Sequence, residues 1–230
     1  MTGLFVTGTD TGAGKTVVAA AIVAALRLRG ETVRAFKPVI TGLDEPSCSW
    51  PHDHEVLARA AGAAPEEVAL VGYGPAVSPH LAAQLAGRPL DPAGLVREIL
   101  AAGESGSLLV VEGAGGLLVP LCGDYDMRSL AADLGLGVVI AARPTLGTIN
   151  HTLLTLEAAR AAGLDVVGVV MTPWSSHPGE IELSNRSTIA QRGEIEVSVL
   201  PEIERPEPEL LAAAGMELPL ASWLPVPVAR

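Results

Sequence analysis

The sequence predicts an α/β fold in which a mainly parallel β-sheet is flanked by helices on both faces. Two observations support this prediction. Short apolar runs alternate along the chain with longer segments rich in Ala and Leu. Within the short runs the hydrophobic residues are consecutive, which is typical of strands that are buried on both faces. Strands that alternate with helices in this way form a parallel sheet with helices on each side.

The elements follow one another in a regular order. The predicted strands cover residues 4–8, 33–36, 107–113, 137–143, 165–172 and 195–201. The predicted helices cover residues 15–30, 54–62, 93–103 and 148–163, most of which stop at a Gly. No linker separates two units, so we expect one domain over residues 1–230, with an irregular tail from about residue 204 that contains one short helix, PELLAAAG.

The composition sets limits on the class of protein. Hydrophobic residues make up 49% of the chain and charged residues 18%, which predicts a compact globule with a sizeable core. We see neither an apolar run that would span a bilayer nor a secretion signal, so we expect a cytoplasmic protein with no membrane partner. The formal net charge of −11 disfavours a nucleic-acid partner, because phosphate neutralisation dominates such binding.

The cysteines and histidines give weaker signals. Cys48 and Cys122 are expected to be free thiols, since disulfides are rare in the cytoplasm. The stretch HDH at residues 52–54 lies close to Cys48 and invites a zinc interpretation, but the spacing matches no standard zinc pattern. A packed or helix-capping role is favoured for His151.

The stretch GTDTGAGKT at residues 8–16 predicts a phosphate-binding loop, because it lies between a strand and a helix. Backbone N–H groups of the loop and of the helix start would bind the phosphates. These groups belong to Gly12, Ala13, Gly14, Lys15, Thr16 and Val17. Lys15 would reach the terminal phosphates and Thr16 would bind Mg²⁺ through its hydroxyl. Five residues separate Gly8 from Gly14, where the standard pattern has four; the alternative is a Gly-rich turn without a ligand.

Three further residues are candidates for the same site. The chain holds 13 Arg but only two Lys, which are Lys15 and Lys37. Lys37 is predicted to follow the second strand, at the carboxyl edge of the sheet. Glu112 ends an apolar strand at the same edge, where a carboxylate suits Mg²⁺ that is shared with phosphate. Asp53 precedes a helix and is either an N-cap or a second metal ligand. For Lys37 and Glu112 the alternative is an ordinary solvated side chain.

Taken together, these motifs resemble the dethiobiotin synthetase family. The resemblance rests on GTDTGAGKT, KPV with Thr41, HDHEVLAR, VEGAGGLLVPL and GTINHTLLTLEA, and covers roughly residues 1–203. The five-residue gap in the phosphate loop is itself a feature of this family. The resemblance implies a P-loop NTPase fold and a cyclo-ligase that uses ATP, Mg²⁺, CO₂ and 7,8-diaminopelargonate. The products are dethiobiotin, ADP and phosphate, formed through a carbamate and a carbamic-phosphoric anhydride.

The resemblance also implies roles for single residues. It implies Thr16, Asp53 and Glu112 as magnesium ligands and Lys15, Lys37 and Thr11 as catalytic residues. The substrate would be bound by Thr11, Lys37 and Thr41, and by the helix start at Gly147, Thr148, Ile149 and Asn150. This helix start would hold the substrate carboxylate from the other subunit of a homodimer. Residues 78–80, Ser-Pro-His, match a family loop of open role.

One departure from the family concerns the nucleotide base. Thr172 stands where some members have an Asn that reads adenine, and a Thr cannot make the paired amide contact. Other nucleoside triphosphates are therefore possible co-substrates. Alternatively, backbone groups near Pro201 bind the base.

Other functions fit the sequence less well than this one. The main alternative is a regulatory or positioning ATPase that acts through a protein partner, but such proteins carry an additional early loop lysine where this chain has TDT. A cobyrinate amidotransferase would need a glutaminase domain for which 230 residues leave no room. A nucleotide kinase would need an Arg-rich lid segment, which we do not find.

Overall fold

A seven-stranded parallel sheet forms the centre of the molecule, in the order β3-β2-β4-β1-β7-β8-β9. The computed structural model describes residues 2–46 and 50–224. The strands of this sheet are β1 (Gly3–Gly8), β2 (Val33–Ile40), β3 (Ala69–Gly72), β4 (Leu108–Glu112), β7 (Gly137–Ala142), β8 (Val166–Trp174) and β9 (Val197–Pro201). A small antiparallel pair, β5 (Pro120–Cys122) and β6 (Tyr125–Asp126), lies outside it. The predicted α/β architecture is confirmed.

Helices cover both faces of the sheet. In chain order they are α1 (Lys15–Leu28), α2 (Asp53–Ala61), α3 (Pro65–Val68), α4 (Pro79–Leu85), α5 (Pro92–Gly103), α6 (Met127–Leu134), α7 (Thr148–Ala161), α8 (Glu180–Gly193), α9 (Pro208–Gly215) and α10 (Leu220–Trp223). Buried residues of α1, α2, α9 and α10 form one core cluster, and those of α4 to α8 form the other. None of the helices in the described ranges is long and apolar enough to cross a bilayer.

The central strand shows why the sheet is apolar on both sides. Leu4 and Val6 belong to the first core cluster, whereas Phe5 between them belongs to the second. Phe5 is fully buried and pairs in register with Val111 on one side and Val138 on the other. Successive side chains of a strand point to opposite faces, so a strand with helices on both sides must be hydrophobic at every position.

Several elements differ from the prediction, which did not include β3, α3, α4, the pair β5 and β6, α6 or α8. β2 extends to Ile40, so Lys37 lies within the strand and does not follow it. The segment after residue 204, predicted to be irregular apart from PELLAAAG, also contains α10. Trp223 of this helix lies so close to β8 that a Cβ on Gly168 would come within 2.7 Å of its ring. The end of the described chain is thus held by an aromatic contact with the sheet.

Candidate active site

The phosphate loop connects β1 to α1, at the carboxyl edge of the sheet. The Ala13 N–H donates to the Asp10 carbonyl at 3.4 Å, which closes a tight turn, and Gly12 in this turn has φ of 71°. The Lys15 ammonium donates to the same Asp10 carbonyl at 3.0 Å. The loop therefore folds around Lys15. It lies between a strand and a helix, as the sequence predicted.

Gly14 is the residue on which the helix start depends. It forms the N-cap of α1 with φ of 92°, a backbone conformation that only Gly adopts without strain. A Cβ at this position would also lie 2.3 Å from Cγ2 of Thr172 in β8. The loop is therefore packed directly against β8, and any side chain at residue 14 would push the two apart.

A cluster of charged groups lies beside the loop, in which Lys37 and Glu112 are buried and Asp53 is half-buried. Lys37 Nζ lies 2.5 Å from Glu112 Oε1 and 2.8 Å from Asp53 Oδ2, and it also donates to the Gly113 carbonyl at 3.2 Å. Thr16 donates its hydroxyl to the same Glu112 oxygen at 3.0 Å. The residues predicted from separate motifs are thus brought together. Asp53 is the first residue of α2 rather than its N-cap, because His52 takes that position.

The burial of this cluster affects the pKa values of its members. Burial disfavours the ammonium form of Lys37, but Glu112 and Asp53 outweigh burial and raise its pKa. Burial also opposes ionisation of Asp53, yet the charge of Lys37 and its hydrogen bond lower the pKa of this carboxyl. For Glu112, burial is the largest effect and raises the pKa, partly offset by Lys37. Burial, followed by repulsion from Lys37, lowers the pKa of Lys15.

The oxygen atoms of this cluster fit a magnesium ion. Glu112 is fully buried, and its Oε2 has no hydrogen-bond partner among the described residues. Carboxylates and a hydroxyl are hard ligands, which Mg²⁺ prefers, and it commonly uses one or two carboxylates together with substrate phosphates. Within residues 2–46 and 50–224, no group of three or more His, Cys, Asp or Glu could hold a metal by itself. Thr16, Asp53 and Glu112 could therefore bind Mg²⁺ together with phosphate oxygens.

The charged cluster lines a cavity of about 640 Å³. Polar groups of Thr11, Lys15 and Thr41 line it, together with Lys37 and Glu112. Its other walls are largely apolar and come from Val39, Ile40, Trp50, Pro51, Ala76, Val77, Pro79, Ala114 and Val119. Ser78 also lines the cavity, and His80 is exposed on α4. A ligand with a charged end and a hydrocarbon chain matches this distribution.

The start of α7 faces a second, smaller cavity of about 160 Å³. Gly147 is the N-cap of α7, and Thr148 and Thr11 both line this cavity. The Thr148 hydroxyl is engaged with that of Thr152 at 3.3 Å, whereas Ile149 is half-buried and Asn150 is exposed. Within one chain, the predicted carboxylate-binding helix start thus lies beside the phosphate loop, but it does not line the larger cavity.

The two residues predicted to bind the nucleotide base, Thr172 and Pro201, do not line the larger cavity. Thr172 lies within β8 rather than after it, and it is buried with its methyl group against Gly14. Pro201 ends β9 and is exposed. Of the cysteines, Cys122 is a free thiol in β5, and Cys48 lies outside the described residues.

Sequence reasoning missed one residue of the phosphate loop's surroundings, Arg143. Its Nε donates to the Gly12 carbonyl at 2.7 Å, and a Cβ on Gly12 would lie 2.7 Å from its Nη2. Its position directly after β7, at the ligand edge of a parallel sheet, was the available signal. The loop behind it is fixed by Asn185, whose buried amide donates to the Pro144 carbonyl at 3.0 Å.

Comparison with known proteins agrees with this geometry. A family model described as an AAA domain matches residues 2–209. An ATP-dependent dethiobiotin synthetase of Mycobacterium avium is 45% identical over 82% of both chains. The chain belongs to the dethiobiotin synthetase family. A second member, from Bacillus licheniformis, is 38% identical over 90% of this chain and 89% of its own. A third, from Anaeromyxobacter dehalogenans, is 45% identical over 74% and 76%.

A solved structure supports the fold of the family. The cell division ATPase MinD of Pyrococcus furiosus superimposes with a TM-score of 0.56 and covers 94% of this chain and 96% of its own. At 19% identity this similarity shows the α/β fold alone. The relatives of the dethiobiotin synthetase family are far more similar in sequence, so the regulatory ATPase is not favoured.

Proposed function

We propose that this protein joins 7,8-diaminopelargonate and CO₂ at the expense of ATP to form dethiobiotin, ADP and phosphate. The observation that supports this most directly is that Lys15, Lys37, Thr16 and Glu112 line one cavity together with a largely apolar set of side chains. Cations suit the phosphates and a carbamate, and the apolar walls suit the alkyl chain of the substrate. A single domain over residues 1–230 and a cytoplasmic location are part of the same proposal.

The first step forms a carbamate. One substrate amine attacks CO₂ through its nitrogen lone pair, and loss of a proton leaves an N-carboxylate with a negative charge. Lys37 lies in β2 and lines the larger cavity together with Val39 and with Thr41, which follows the strand. Its ammonium would stabilise this charge in a buried environment, where electrostatic interactions are stronger than in water.

The second step transfers the γ-phosphoryl group of ATP to a carbamate oxygen and releases ADP. Lys15 would contact the terminal phosphates, and the N–H groups of residues 12–17 would hold the phosphate chain at the start of α1. Thr16, Asp53 and Glu112 would hold Mg²⁺, which when bound offsets the charge of the phosphates. Thr11 lines both cavities and would orient the substrate from the loop.

The third step closes the ring. The second amine attacks the activated carbonyl carbon, the bond to the phosphate oxygen breaks, and phosphate leaves as the cyclic urea forms. The step requires no protein nucleophile, so positioning of the two reactive groups contributes much of the rate. The rigid walls of the larger cavity would supply that positioning for the alkyl chain.

The helix start at Gly147, Thr148, Ile149 and Asn150 would bind the substrate carboxylate of a second copy in a homodimer. Backbone N–H groups at a helix N-terminus favour an anion. Gly147 caps α7 without a side-chain hydrogen bond, and the Thr148 N–H donates to the Thr145 carbonyl at 3.2 Å, which leaves the N–H groups of Ile149 and Asn150 for the anion. Leu146 is 91% exposed and Leu154 is 56% exposed, and burial of such side chains between two copies would stabilise the dimer. The base would be bound near Thr172 and Pro201, with broad tolerance of nucleoside triphosphates.

Phosphate release with ATP, magnesium and bicarbonate, measured with and without 7,8-diaminopelargonate, tests this function. We expect release to require the diamine and a product with the mass of dethiobiotin. The Lys15→Met and Lys37→Met variants should each abolish both signals. Phosphate release that is indifferent to the diamine, with no dethiobiotin formed, would refute the proposal and favour an ATPase that acts on a protein partner.

A further inference from the structure

We propose that Lys37 occupies the magnesium position as long as no nucleotide is bound, so that the enzyme takes up the metal only together with its nucleotide. This inference rests on the proposed function for the nature of the ligand. It is carried by the contacts of the Lys37 ammonium, which lies within hydrogen-bond distance of Glu112 Oε1, Asp53 Oδ2 and the Gly113 carbonyl, at 2.5, 2.8 and 3.2 Å.

The lysine and the metal require the same oxygen atoms. The two carboxylates that could bind Mg²⁺ are the two that hold Lys37, and Thr16 donates to the same oxygen of Glu112. An ammonium ion and Mg²⁺ both bind hard, anionic oxygens. Because like charges at such short distances repel strongly in a buried site, the two cations exclude each other at Glu112 Oε1.

The balance of charges explains why the metal needs the nucleotide. Lys37 is 3% exposed and Glu112 is fully buried, so their charges must be compensated locally. Without ligand, the positive charges of Lys15 and Lys37 are matched by the negative charges of Glu112 and Asp53. Magnesium alone would add two uncompensated positive charges to this group. Magnesium bound to a triphosphate brings a net negative charge, which both lysines can then compensate.

Displacement of Lys37 would give this residue its second role. Once the metal with its nucleotide has taken the carboxylates, the ammonium is free to turn along β2 towards the part of the cavity that Val39 and Thr41 line. The carbamate would form in that part.

Binding of Mn²⁺ in the absence of nucleotide, measured by electron paramagnetic resonance, tests the exclusion. We expect Lys37→Met to bind one Mn²⁺ at least about tenfold more tightly than the unaltered protein. The matched control is Lys15→Met, which removes the other lysine, whose ammonium donates to the Asp10 carbonyl. This control removes one nearby positive charge but leaves the carboxylates occupied by Lys37, so it should raise the affinity clearly less than Lys37→Met does. Equal affinities of the unaltered protein and Lys37→Met, or an equal gain in the control, would overturn the proposal.

A second measurement needs no variant and decides the matter if Lys37→Met fails to fold. The chain has only two lysines, so lysine labelled with ¹⁵N at the ammonium gives two side-chain signals. Magnesium alone should leave the Lys37 signal in place, and magnesium with a non-hydrolysable ATP analogue should shift it. A saturable shift with magnesium alone would contradict the exclusion. Neither measurement depends on turnover, so an enzyme that made no dethiobiotin would refute the proposed reaction and leave this test intact.

Discussion

Substitution of Gly14 by Ala tests how closely the phosphate loop is packed against β8. The new Cβ would lie 2.3 Å from Cγ2 of Thr172, far inside van der Waals contact. The backbone φ of 92° adds strain for any residue with a side chain, at roughly 1–2 kcal/mol. Overpacking in a rigid core typically adds about 1–3 kcal/mol. We therefore expect Gly14→Ala to lower the free energy of unfolding by about 2–5 kcal/mol.

The two contributions can be separated with Thr172→Ser, which removes only the methyl group that the new Cβ would meet. When it is combined with Thr172→Ser, Gly14→Ala should retain the backbone strain of about 1–2 kcal/mol and lose the steric part. Urea unfolding of the unaltered protein, the two single variants and the double variant gives the coupling energy, which we expect to exceed about 1 kcal/mol. A coupling below about 0.5 kcal/mol, within the error of additive sites, would refute the packing of the loop against β8.

Three further outcomes follow from the site. Arg143→Met removes the donor to the Gly12 carbonyl and should raise the KM for ATP at least about fivefold, with kcat nearly unchanged. The control is Arg97→Met, which alters an exposed arginine of α5 and should change neither KM nor kcat. The pKa of Asp53 is lowered by Lys37, so its ionised form stabilises the protein at neutral pH and this stability is lost as the pH falls through the lowered pKa. The Asp53→Asn variant should therefore lose less stability on acidification, as thermal unfolding at a series of pH values would show. The enzyme should use CTP and GTP with KM values within about tenfold of that for ATP; a hundredfold preference for ATP would contradict the broad base specificity.

Much of the fold could be predicted because the hydrophobic pattern agrees with the positions of the residues that end helices and strands. β1, α1 and β4 are bounded by Gly or by charged residues, and their hydrophobic residues form nearly continuous runs. α8 was missed because it is polar almost throughout and buries only Asn185, Ile189 and Gly193. α6 was missed as well, although Asp126 caps it by accepting from the Ser129 N–H at 2.8 Å. That cap was a signal available in the sequence.

The residues of the site could be predicted one by one, but the contacts between them could not. The pair Lys37 and Pro38 favours an end of β2 at residue 36, because a lysine is rarely buried. The strand continues because Glu112, 75 positions away in sequence, neutralises this lysine inside the protein. The contact between Arg143 and Gly12 spans 131 positions. Such contacts depend on the order of strands in the sheet, which the local pattern of residues does not specify.

The use of lysine at only two positions leads to a final prediction, that Lys37→Arg is inactive although it keeps the charge. An ammonium is a compact charge with three donors, and here it fits between Glu112, Asp53 and the Gly113 carbonyl. The guanidinium of Arg is larger, planar and arranged as a fork, so it would displace Asp53 or the backbone after β4, and its paired hydrogen bonds would keep it on the carboxylates that the metal needs. A misplacement of about 1 Å can cost about a hundredfold in rate. We therefore expect kcat for dethiobiotin formation to fall by at least about a hundredfold. If the arginine variant kept more than about a tenth of kcat, a charge at this position would suffice, and the compact fit of the lysine would not explain its presence.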